Sequence, residues 1–305
     1  MAETKRHALG GLIAIAVAVG GYMFFFHDTD TAMPQASLKP TKDDTKQSAI
    51  SVKPVVVVDS PAPGAAYSRA KNINAYISSI HTASSPPGTA EIAQAKALDE
   101  CGSLIARPNS AKTQIANLQA HGGKYSQFQI KALQLVDERC KDFVITTRMT
   151  GSDAHALYKK SAVLGNPEAK AINLANEINS MPAEKARPKV MAVISAGDPD
   201  ALFAIANVFS ETGPFETTSG GEVGTPDAKY SWQLAACDQG KDCTASSEIV
   251  QQSCLYLGLC GPGDYRTNIQ YSAVSPASYQ LITQAETRIN EAIANGTVQD
   301  LLVHK

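Results

Sequence analysis

The most reactive side chains in this 305-residue sequence are six cysteines: Cys101, Cys140, Cys237, Cys243, Cys254 and Cys260. Four of them fall in AACDQGKDCTASSEIVQQSCLYLGLC, residues 235–260, spaced C-x5-C, C-x10-C and C-x5-C. Zinc favours thiolates about two to four residues apart, usually joined by histidine. No histidine occurs between residues 156 and 303, and there is no C-x-x-C redox pair. An even set of cysteines outside these patterns reads as a disulfide framework, which requires an oxidising compartment. Gly240 lies between Cys237 and Cys243, and Gly258 between Cys254 and Cys260, so local bridges would staple two helix junctions. The pairing 237–254 with 243–260 stays open beside it, because six cysteines permit fifteen connectivities. Cys101 with Cys140 would then join two helices of the first half.

Other chemistry finds little support. The sequence contains no HExxH, no GxSxG, no phosphate-cradling GxxxxGK[ST], and no GxGxxG after a strand. His155, Glu168 and Glu177 are candidate bases without a placed partner, and His81 and His121 stand apart. Asp99-Glu100 directly precedes Cys101, and Asp137-Glu138 lies one residue away from Cys140. A bridge between those helices would bring two carboxylate pairs together, as a glycosidase acid and nucleophile require. Their simpler role is a solvated helix face. The expectation is a protein that is not an enzyme, with no catalytic, cofactor-binding or metal-binding residue. A cell-envelope enzyme such as a peptidoglycan-active glycosidase is the alternative.

These side chains need a scaffold and a location. Ala8–Phe26, ALGGLIAIAVAVGGYMFFF, is nineteen residues without a charge. At about 1.5 Å per residue a helix of this length crosses a roughly 30 Å hydrocarbon core. Lys5 and Arg6 keep the 1–7 tail in the cytoplasm and direct the rest of the chain outward. A cleaved signal peptide is the competitor, but it would have a shorter apolar core and a small-x-small end. This run ends in Tyr22-Met23-Phe24-Phe25-Phe26. Residues 27–65 are rich in Asp, Thr, Lys, Ser and Pro and read as a flexible linker. Net charge is −2, with no basic excess of the kind nucleic-acid binding needs.

From residue 66 onward apolar residues recur at helical spacing. Ile73, Tyr76, Ile77 and Ile80 form one stripe; Ile92, Ala95, Leu98 and Ile105 form another. Abundant alanine and few aromatics favour an all-α body. The second half repeats: GNPEA at 165–169, GDPDA at 197–201 and GTPDA at 224–228. In each, glycine ends one helix, Asn, Asp or Thr caps the next, proline fits its first position, and the acid complements its dipole. Arg187-Pro188 is expected to interrupt the helix before the second junction. Pro276 to about Ala294 reads as a terminal capping helix.

GEVGTPDAKYSWQLAACDQG resembles the Sel-one-like repeats, relatives of tetratricopeptide repeats, through Gly224, Pro226, Asp227, Lys229, Trp232, Ala235, Ala236 and Gly240. Residues 155–175 are similar through Tyr158, Lys160, Ala162, Gly165, Ala169 and Leu174, and 190–209 in part. The resemblance covers about 150–260. It implies stacked α-hairpins, disulfides between neighbouring helices, and service as a protein–protein interaction scaffold. The expected organisation is therefore a tail at 1–7, a transmembrane helix at 8–26, a linker at 27–65, a helical subdomain at 66–149, and a repeat region with its cap at 150–305. The body would face the periplasm from a bacterial inner membrane and bind an envelope protein. Tyr158, Trp232 and the 212–226 loop are the candidate contacts, with packing between the repeat helices as the other role for Tyr158 and Trp232.

Overall fold

The computed structural model describes residues 63–82, 84–105, 109–143 and 151–302. All regular structure among them is helical. In chain order the α-helices are α1 (Pro63–Arg69), α2 (Ile73–Thr82), α3 (Thr89–Ile105), α4 (Ser110–His121), α5 (Ser126–Cys140), α6 (Gly151–Val163) and α7 (Pro167–Glu177). They continue with α8 (Ala183–Ser195), α9 (Pro199–Ile205), α10 (Ala228–Asp238), α11 (Glu248–Leu257), α12 (Tyr265–Asn268) and α13 (Pro276–Asn295). The tail at 1–7, the anchor at 8–26 and nearly all of the linker lie outside the described residues, and α1 begins within the last residues assigned to that linker. No described helix is long and apolar enough to cross a membrane.

Two of the three repeated junctions are built as their residues dictate. Asn166 accepts the amide of Ala169 at 2.9 Å and Asp198 that of Ala201 at 2.8 Å, with Pro167 and Pro199 opening α7 and α9. In the third, Thr225 Oγ1 accepts from Ala228 at 3.1 Å, but Pro226-Asp227 form a turn before α10. The expected break at Pro188 is not seen. Helix α8 runs through it because Pro188 lies on the exposed face, while Ala186, Val190 and Ile194 hold the other face in the core. The carbonyl that loses its partner can then be hydrated.

Packing orders the helices. Helix α3 lies against α5 and α6, α6 against α7, α7 against α9, α9 against α10, and α10 against α13. Alanines at 93, 95 and 97 are buried on α3, and their small size lets α5 and α6 approach. Gly88, at φ +84°, makes the tight entry to α3; a Cβ there would meet the Ser161 carbonyl at 2.8 Å. The chain then folds back, with α11 against α5 and Ala132 in one cluster with Cys254 and Cys260. The segments either side of residue 149 thus share a core.

Three disulfides brace this body: Cys101–Cys140, Cys237–Cys243 and Cys254–Cys260, with Cα separations of 5.5, 5.7 and 4.4 Å. The first ties α3 to the end of α5. Cys237 lies in the last turn of α10, and Cys243 sits in the loop before α11. Gly258 ends α11 in a left-handed conformation between the cysteines of the third bridge.

Candidate functional site

Helix α3 carries two charges into the interior, one turn apart on the same face. The Lys96 ammonium lies 3.1 Å from Glu168 Oε1 in the first turn of α7 and 3.1 Å from Glu248 Oε2 in the first turn of α11. Those two oxygens are therefore no further apart than twice that distance. The same ammonium sits 4.9 Å from the centre of the Tyr67 ring. Glu100, one turn on, accepts 2.8 and 3.2 Å hydrogen bonds from Arg139 and a 3.0 Å hydrogen bond from the Tyr67 hydroxyl. Arg139 also donates to the Ser68 carbonyl at 2.7 Å.

A second ion pair joins Asp200, in the first turn of α9, to Lys241, in the loop held by the Cys237–Cys243 bridge. Both side chains are at most 6% exposed. The neighbouring Asp242 receives Arg69 at 3.0 Å. Glu168 and Asp200 are the repeated acids of the first two junctions. Their first-turn positions answer the helix dipoles, as expected, and their carboxylates also bind lysines buried between helices. Isolated buried charges would be prohibitively costly, so pairing is what makes this arrangement tenable.

Two recesses flank the cluster and share Lys96, Glu168 and Asp200. The larger, about 290 Å³, opens among Tyr67, Tyr76, Thr89, Leu164 and Asp198, where the first turns of α3, α7 and α9 come together. The smaller, about 180 Å³, includes Asp99, Tyr158, Lys241 and Glu248. Around the pair of recesses the carboxylates exceed the ammonium groups. Burial pushes the Glu168 carboxyl above its ordinary range; Lys96 and Lys241 pull it down, but Asp200 and Glu248 add to the rise. Burial, with Asp200 beside it, likewise raises Asp198. Burial alone would lower the Lys96 ammonium, yet Glu168, Glu248 and Asp200 together raise it, so it stays charged.

The residues singled out from sequence scatter. Tyr158 borders the smaller recess and donates to Asp99 at 2.7 Å. Trp232 is not a surface contact. It is fully buried, stacks on Phe209 at 3.9 Å between ring centres, and donates to the Glu222 carbonyl at 2.7 Å. Trp232 is the largest side chain of this alanine-rich helix, and burying it against its neighbours gains the most apolar contact. The 212–226 loop is also anchored: Phe215 and Val223 are buried, and Arg288 pairs with Glu222.

The carboxylate pairs beside the first bridge do not converge. Glu100 is bound by Arg139, whereas Asp137 and Glu138 face solvent. His81, His121 and His155 are exposed, and no His/Cys/Asp/Glu group among the described residues is arranged to hold a metal. Lys96, Lys241, Glu248 and Tyr67 were not anticipated. A lone lysine in AQAKA and the acid recurring at one register of each junction were the available signals. The chain matches no family model, no curated protein and no solved structure.

Proposed function

We propose that this chain is a binding protein of the bacterial cell envelope, anchored in the inner membrane by residues 8–26. Its disulfide-braced helical body faces the periplasm and engages another protein. The observation that carries this reading is the larger recess between the 165–169 and 197–201 junctions. Leu164 lines it and is 42% exposed, an apolar side chain beside the charged Lys96, Glu168 and Asp200 that line the same space. Exposed apolar residues at a concave site are a common mark of recognition surfaces. Three disulfides support an oxidising compartment. The Sel-one-like pattern of 150–260 supports stacked hairpins, an architecture suited to extended contact surfaces.

Hydrolysis of envelope glycans is the weaker reading. It needs one protonated acid and one free carboxylate facing each other across the substrate. Here Glu168 and Asp200 are tied to Lys96 and Lys241, and Asp198 is engaged in capping α9. Co-purification of the gently solubilised full chain tests the binding reading. A partner recovered with the native chain should be lost with Leu164→Asp, a change at an exposed position. Equal recovery with both would remove the recess from the reading.

A further inference from the structure

The larger recess has a chemical preference that follows from what surrounds it. Five carboxylates, Asp99, Glu168, Asp198, Asp200 and Glu248, line the two recesses against two ammonium groups, Lys96 and Lys241, and the recesses share Lys96, Glu168 and Asp200. Glu100 and Arg139 behind Tyr67 cancel each other. The starts of α3 and α7 contribute positive partial charge, but each already has an acid in its first turn, Glu91 and Glu168. Negative charge is therefore left over at a concave, partly dry site.

A second observation is independent of that charge. Thr89 is 5% exposed, borders the larger recess, and its hydroxyl oxygen has no hydrogen-bond partner. An unpaired buried hydroxyl costs stability unless something fills the role of partner. Tyr67 and Tyr76, edge to face at 5.8 Å between ring centres, also border the space. Carboxylates, an acceptor hydroxyl and aromatic rings are the groups that hold an ammonium. The chain itself uses this chemistry, since Lys96 sits between two carboxylates and over the Tyr67 ring. At about 290 Å³ the recess has room for roughly ten waters at ~30 Å³ each. That is enough for a short alkyl chain, and Leu164 and Ile92 would line it.

We propose that the larger recess binds a primary ammonium group carried on a short alkyl chain, with Asp198, Glu168 and Thr89 as its ligands. The group is either a free alkylamine or the lysine side chain of a partner protein. The proposal rests on the binding reading above and gives it a chemical identity.

Calorimetric titration of the full chain in detergent tests it with four probes: n-pentylamine, Nα-acetyl-lysine methylamide, 1-pentanol and pentanoate. Both amines should bind, and the alcohol and carboxylate should not. Tighter binding of the lysine derivative assigns the site to a protein-borne lysine; tighter binding of pentylamine assigns it to a free amine. Asp198→Asn keeps the helix cap, because Asn caps as well as Asp, and should weaken amine binding about tenfold. Thr89→Val removes only the unpaired hydroxyl and should weaken it about fivefold. Absence of amine binding, equal binding of the neutral or anionic probe, or binding unchanged in both variants would overturn the proposal. If amine binding fails while Leu164→Asp still loses the partner, the ammonium assignment falls and the binding reading stands.

Discussion

Glu100 and Arg139 are the residues immediately before Cys101 and Cys140, and their side chains meet at 2.8 Å next to the disulfide they precede. A covalent and an ionic link therefore fix the same approach of α3 to α5. That approach sets the register of α3 and so the position of Lys96, one turn before Glu100.

The first prediction concerns this bridge. Cys101–Cys140 spans 39 residues of sequence, whereas each of the other two bridges spans 6. In the chain-entropy picture the long loop stabilises by about 4 kcal/mol and each short one by about 2. Urea unfolding should find Cys101→Ala/Cys140→Ala the least stable of the three double variants. A larger loss from Cys237→Ala/Cys243→Ala would mean that strain or the positioning of Lys241 dominates.

Lys96→Met should be among the most damaging single changes. It leaves Glu168 and Glu248 facing each other without their shared cation, and an uncompensated buried charge costs about 3–5 kcal/mol. Adding Glu168→Gln should restore part of the loss, since one of the two stranded carboxylates is then neutral. Equilibrium denaturation of the single and double variants measures both effects.

The acid limb of stability should show two opposite contributions. Burial raises the Asp198 carboxyl, so the folded state holds its proton more tightly than the unfolded chain. Stability from this group falls as pH rises through the folded value. Asp198→Asn should therefore be more stable than the native chain at neutral pH, with the gain disappearing below the ordinary carboxylate value of about 3.9. Glu222 has the reverse sign. Burial opposes its ionisation, but the Thr218 hydroxyl and Arg288 outweigh burial and lower it. Glu222→Gln should be less stable at neutral pH, and the deficit should shrink as pH falls through the lowered value. Denaturation midpoints across the acid range distinguish the two.

Trp232 is the single tryptophan and is fully buried. Its emission should be blue-shifted and shielded from iodide in the folded state, becoming accessible on unfolding. Iodide quenching of the folded chain to the degree seen in urea would contradict its placement.

Much of the fold was legible because it rests on local rules. The stripes of Ile73, Ile77 and Ile80, the caps at Asn166 and Asp198, and the start of α13 at Ser275-Pro276 are each set by residues within a few positions. The candidate site was not legible in the same way. Lys96 meets Glu168 and Glu248 across 72 and 152 residues of sequence, and Asp200 meets Lys241 across 41. Local periodicity carries no record of such pairings. Whether Trp232 is a contact or packs between helices was open for a related reason: a motif gives its helix, but only the packing of Phe209 and the 212–226 loop decides which side of that helix is covered.

The central claim is that the recess beside Leu164 is where a partner docks. Site-specific photo-crosslinking of the full chain in cells tests it most directly, with the photoreactive side chain placed at position 164 or at Leu281, an exposed residue of α13 outside the recess. The account predicts one discrete protein adduct from position 164 that position 281 does not give and that Asp198→Asn diminishes. No adduct from position 164, or the same adducts from both positions, would contradict it.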